Sequence, residues 1–153
     1  MKKYELDIWQ SGVCKNLAVI RLYEDEVLCN IENCQNVRDY LRVERTAPIP
    51  EKLYKFLSLT RKIVEGVVSA SDYLIEESSI SLDPDKLWID SRTGTILFLP
   101  EHSDNEFLYN LCEMLCKLGG EQIAARIAEK NMESAFSYKS LLRFLSTWEL
   151  ENR

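Results

Sequence analysis

The chain has a single histidine in 153 residues, and no stretch of it approaches the roughly 20 consecutive apolar residues that span a bilayer. One imidazole leaves little from which to build a histidine metal site. The missing apolar run predicts no direct membrane insertion, and Met1-Lys-Lys leads into Tyr4-Glu-Leu-Asp rather than into an apolar signal segment. The cysteines are odd in number: Cys14, Cys29, Cys34, Cys112 and Cys116. In a chain large enough to fold without disulfide staples, this fits a reducing, cytoplasmic compartment. Basic side chains are outnumbered, 19 against 25 acidic, and a formal charge of -6 argues against a nucleic-acid partner. A glycine-rich phosphate loop is also lacking. Ser11-Gly12-Val13-Cys14 is too weak a match, and neither Lys2 nor Lys15 lies in a strand motif that would pair with nucleotide phosphates.

What is present is a core. With 46% hydrophobic residues, the chain is long enough for one compact domain over residues 1–153, and two independent domains would be crowded. Residues 1–32 read as strand-rich, with alternation at Tyr4/Leu6/Ile8 and Ala18/Ile20/Leu22, a further run at Val27–Ile31, and turns at Ser11-Gly12 and Glu24-Asp25-Glu26. A small antiparallel sheet is the expected product. Asn36 is placed to cap a short helix, and Pro48-Ile-Pro50 resets the backbone before a longer one over residues 53–74. That helix carries Leu53, Phe56, Leu57, Thr60, Ile63, Val64, Val67, Val68 and Ser71 along one side, with Gly66 as an intrinsic weak point.

Leu87-Trp-Ile89 and Thr95-Ile-Leu-Phe98 predict a hairpin that turns through Gly94. Ser103-Asp-Asn-Glu106 has the spacing of a capping box ahead of a helix that Gly119-Gly120 would end. Another helix is expected over residues 121–130, and Ser137 can cap the last one. The sum is an α+β domain, a small N-terminal antiparallel sheet packed with a helical region.

Several residue groups suggest chemistry, and each has a simpler explanation. Asp83, Asp85 and Asp90 do not follow the ordered calcium-loop pattern; turn and pairing roles account for them, with Lys86 or Arg92 as partners for Asp85. Cys112 and Cys116 share a helical face but continue an apolar stripe, so core packing is expected. His102 follows a strand with no triad around it. Trp88 is expected to pack against the principal helix. No cofactor and no metal are expected from these groups.

The order of the elements carries a resemblance. Glu32-Asn-Cys-Gln-Asn36-Val-Arg-Asp-Tyr-Leu41 resembles the end of a protein-kinase hinge and its short interdomain helix. Residues 53–75 resemble the central helix of the kinase C-lobe, and residues 81–98 resemble the catalytic-loop hairpin. The resemblance implies a reduced, pseudokinase architecture, with residues 33–153 as a shortened C-lobe containing the hairpin 87–98. It also implies lost catalysis. Aligned on Pro84, Ser81 stands where the catalytic aspartate belongs, Lys86 where a metal-ligating asparagine belongs, and Pro100 where the second metal-binding aspartate belongs. More narrowly, Leu82-Asp-Pro-Asp85 and Leu99-Pro100 are similar to segments of a Firmicute domain of unknown function found N-terminal to forkhead-associated modules. The chain also resembles the kinase-like cytosolic domain of a type VII secretion component.

These resemblances imply a non-catalytic protein-protein interaction or regulatory domain, with a protein partner in a bacterial signalling or membrane-associated assembly. A structural positioning module and a degenerate nucleotide-binding regulator are the alternatives. On the last helix, Tyr138, Leu142 and Trp148 are the candidate interaction residues, on a face that otherwise caps the core.

Overall fold

The computed structural model describes residues 1–42, 49–133 and 136–152. The fold is α+β, with two small antiparallel sheets and a larger helical region. Helix α1 (Lys3–Ser11) opens the chain. This corrects the expected strand: Tyr4, Leu6 and Ile8 alternate, but the side chains that become buried are Glu5 and Trp9, one helical turn apart. Gly12 then closes the helix in the left-handed region at φ 71°, so Ser11-Gly12 marks a helix end.

Strands β1 (Ile20–Tyr23) and β2 (Glu26–Cys29) form a two-stranded hairpin in the expected place. A second sheet has the order β3-β4-β5, with β3 (Cys34–Asn36), β4 (Leu87–Asp90) and β5 (Ile96–Phe98) all antiparallel. The hairpin β4–β5 matches expectation, and Gly94 adopts φ 72° in its turn. Strand β3 was not foreseen. Residues 16–18 connect the two sheets by running parallel to β5: Ala18 N–H donates to the Phe98 carbonyl at 3.0 Å, and Phe98 N–H to the Asn16 carbonyl at 2.8 Å.

Asn36 caps helix α2 (Val37–Tyr40) by accepting from the Arg38 N–H. Helix α3 (Ile49–Ser71) is the axis of the core, while Pro48 of the expected backbone reset lies outside the described residues. Leu57, Ser58, Leu59 and Thr60 are all buried, so this stretch is covered all round rather than on one stripe. Ser71, by contrast, is exposed. Beyond α3, 3-10 turns at Glu77–Ser79 and Pro84–Lys86 lead into β4.

Helix α4 (Phe107–Leu118) packs against α5 (Glu121–Glu133), and α6 (Tyr138–Glu151) against α3. Gly119 closes α4 with φ 92°, and Ser137 caps α6 by accepting from Ser140 N–H. The capping box at Ser103 does not form. Ser103 N–H is bound to the Ser78 carbonyl, its hydroxyl accepts from Asn105 N–H and Asn110 Nδ2, and α4 begins at Phe107 without a side-chain cap. Among the described residues, no helix is long and apolar enough to cross a membrane.

Candidate functional site

The β1–β2 hairpin carries apolar side chains on both faces. The pairing register puts Ile20, Leu22, Val27 and Cys29 on one face and Arg21, Tyr23, Glu26 and Leu28 on the other. Ile20 is buried, but Leu22, Tyr23, Val27 and Leu28 are 51%, 64%, 49% and 48% exposed. A half-buried hairpin would alternate apolar and polar residues; this one presents apolar side chains to solvent on each side.

Beneath the hairpin lies a cleft of about 600 Å³. It is lined by Met1, by Lys2 just before α1, by Glu5 of α1, by Val27 and Cys29 of β2, and by the paired segments Glu76, Ser78 and Ser79 and Leu99-Pro100-Glu101-His102. The walls are held by backbone pairing. Ile80 bridges Pro100, Ser81 N–H donates to the Leu99 carbonyl at 3.0 Å, and Glu101 N–H donates to the Ser79 carbonyl at 3.1 Å. Burial pushes the Cys29 thiol above its ordinary pKa, which makes it a poor nucleophile near neutral pH.

The structure brings Ser81, Lys86 and Pro100 to this region and gives each a scaffold role. Ser81 is buried; its hydroxyl accepts from Asp83 N–H at 3.2 Å and lines a smaller polar recess next to the cleft. Lys86 and Pro100 line the cleft itself. The Lys86 ammonium donates to Glu101, and this bond is the main cause of a raised lysine pKa. The loop between them is tied from outside. Asp83 accepts from Asp85 N–H at 3.0 Å, and Asp85 receives Arg38 at 2.9 Å, which corrects the expected pairing with Lys86 or Arg92. Asp90 starts the hairpin turn as expected, accepting from Arg92 N–H at 2.8 Å.

The other candidates lie apart from the cleft or at its rim. Trp148 is only 4% exposed and lies under the Arg126 guanidinium, 4.1 Å from its ring centroid. It therefore belongs to the core, while Tyr138 and Leu142, nearer the start of α6, are half-buried against it. Trp88 is on the sheet face opposite Leu87 and Ile89, away from the face whose Phe98 touches Gly66 of α3, which corrects its expected packing. Its indole Nε1 is buried without a hydrogen-bond partner. Cys112 is half-buried with its thiol 3.7 Å from the Ala124 carbonyl, whereas Cys116 is exposed, which corrects its expected core packing: the buried side of α4 is Phe107, Leu111, Met114 and Leu115. His102 is exposed at the cleft rim and pairs with Asp104 at 2.8 Å. Among the described residues, no three His, Cys, Asp or Glu side chains converge as a metal site.

Sequence reasoning missed the contribution of α1, and with it Glu5. The signals were available in the αL glycine at position 12 and in the Glu5/Trp9 spacing. Comparison of the chain with protein-family models, curated proteins and solved structures found no match.

Proposed function

We propose that this chain is a non-catalytic docking domain of reduced kinase-like architecture, which binds a protein partner in a bacterial signalling or membrane-associated assembly. One observation carries the reading: a two-stranded hairpin exposes Leu22, Tyr23, Val27 and Leu28 on both faces, directly above an open cleft. Apolar surface left in water is unfavourable, and this hairpin carries it on both faces, Leu22 beside Val27 on one and Tyr23 with Leu28 on the other, which supports an interaction site. The run from capped short helix through long central helix to the hairpin of residues 87–98 supports the kinase-like part of the reading.

The non-catalytic reading is supported by the residues at the positions the kinase resemblance picks out. Phosphoryl transfer requires a carboxylate near the hydroxyl substrate and oxygen ligands for magnesium. At those positions Ser81 caps a turn, Lys86 is engaged by Glu101, and Pro100 bridges Ile80. A nucleotide regulator is less well supported, because a triphosphate in the cleft would face Glu5 and Glu76 while Lys86 is already committed.

The test is capture of cellular partners with the intact chain, followed by titration of each purified candidate. Leu28→Glu is expected to weaken true binding at least about tenfold, while stability stays within about 0.5 kcal/mol, as for an exposed position. Full affinity in both Leu28→Glu and Tyr23→Glu would remove the hairpin from the interface. Transfer of labelled phosphate from ATP, lost on substitution in the cleft, would overturn the non-enzyme reading.

A further inference from the structure

We infer that the cleft beneath the hairpin receives an apolar, basic segment of the partner polypeptide, with an aliphatic or aromatic side chain between Val27 and Pro100 and a lysine or arginine on Glu5. This rests on the docking reading above and names the chemistry of the partner. Glu5 is 5% exposed yet lines the cleft. The Tyr4 hydroxyl, 3.5 Å away, is its one side-chain hydrogen-bond contact, and among the described residues no cation lies within ion-pair distance of it. A carboxylate withdrawn from water without a cation is costly, and a ligand that supplies the cation removes that cost.

Glu76 also lacks an ion pair among the described residues, and the ammonium of Lys86 is taken by Glu101. Lys2 and Met1, both exposed, bring positive charge to the cleft mouth but make no ion pair with Glu5. The apolar part of the lining is as well defined: Val27 and Cys29 project from one face of β2, and Leu99 and Pro100 line the same cleft. About 600 Å³ is room for a few side chains.

Charge selects the occupant. A second copy would bring a chain of net charge -6, with its own Glu24-Asp25-Glu26 hairpin tip, toward Glu5 and Glu76, which have no ion pair among the described residues. A basic segment supplies the cation that Glu5 lacks.

The purified chain would be screened on an array of synthetic heptapeptides in which a central lysine or arginine is flanked by varied leucine, valine and phenylalanine. Counterparts with glutamate at the centre would serve as controls. The best binder, labelled with fluorescein, would then be titrated by anisotropy. Saturable binding is expected, with the glutamate counterpart and the Glu5→Gln variant each weaker by at least about tenfold. Val27→Asp should weaken the same peptide, since it removes the apolar wall through a half-exposed position. Absence of saturable binding to any peptide, equal binding of the acidic counterparts, or full affinity in Glu5→Gln would overturn the inference. A whole partner that still binds Glu5→Gln but is lost from Leu28→Glu would overturn the cleft assignment and leave docking through the hairpin standing.

Discussion

Arg61, in the middle of α3, holds Glu149, near the end of α6, with two hydrogen bonds: Nε to Oε2 at 2.5 Å and Nη2 to Oε1 at 3.3 Å. A third bond runs from Nη1 to Glu65 at 2.9 Å, one turn along α3. The fork of the guanidinium thus fixes the last helix against the central one, and these bonds raise the Arg61 pKa further above its already high ordinary value. Arg61 is 24% and Glu149 11% exposed, so the pair is largely removed from water. Arg61→Met should cost about 2–3 kcal/mol in urea unfolding, because it leaves Glu149 buried and unpaired. Glu149→Gln should cost less, since Glu65 still partners the arginine. The double variant Arg61→Met/Glu149→Leu should recover most of the loss; a fully additive loss would show that the pair is not what joins the helices.

Asn36 uses its whole amide. Its oxygen caps α2 by accepting from Arg38 N–H at 2.9 Å, and its nitrogen donates to the carbonyls of Pro84 at 3.0 Å and Leu87 at 3.1 Å. One side chain therefore ties the start of α2 to the turn beside the cleft. Asn36→Asp keeps the cap but has nothing to donate, and sets a carboxylate against two carbonyl oxygens. It should be at least as destabilising as Asn36→Ala, by about 2 kcal/mol, whereas a cap-only role would leave aspartate nearly neutral. Chemical denaturation of the two variants decides between these roles.

The readable parts of the chain were those whose signals are local. Asn36, Asp83 and Ser137 cap through atoms two or three residues away, Gly94 and Gly119 supply backbone that other residues avoid, and the α3 stripe repeats over several turns. Helix α1 failed because nine residues offer few turns, and Tyr4/Leu6/Ile8 fits a period of two as well as Glu5/Trp9 fits a helix. Strand β3 is three residues long and exists through its pairing with β4, more than fifty positions later. The cleft was beyond local reading for the same reason: Glu5, Val27 and Pro100 meet only in three dimensions.

Gly66 shows the same gap between local and tertiary reasons. In sequence it is a weak point in a helix, where alanine would be better by about 1 kcal/mol. In the fold, a Cβ at this position would lie 2.8 Å from Phe98 Cε2 and 3.0 Å from Asn16 Nδ2. Phe98 is fully buried, and Asn16 Nδ2 is bonded to the Ile96 carbonyl at 3.0 Å, so neither moves freely. Gly66→Ala should therefore destabilise by about 1–2 kcal/mol despite its better helix propensity. Adding Phe98→Leu should recover part of that loss, and a rise in melting temperature for Gly66→Ala alone would count against the close approach.

Glu77 gives a pH dependence whose sign can be worked out. Partial desolvation, then repulsion from Glu106 and Glu76, raises its pKa above the ordinary 4.5. The native state therefore holds this proton more tightly than the unfolded chain does. Stability contributed by the protonated form is fully present below pH 4.5 and is lost as pH rises through the higher native value. At neutral pH the ionised Glu77 is a net burden on the fold, which an uncharged isostere removes. Glu77→Gln should thus melt higher than the natural chain at pH 7, and the difference should close as pH falls below 4.5, where both side chains are neutral. Paired thermal melts across that range make the check, and a Gln variant that is less stable at pH 7 would mean that the carboxylate is held by a favourable contact instead.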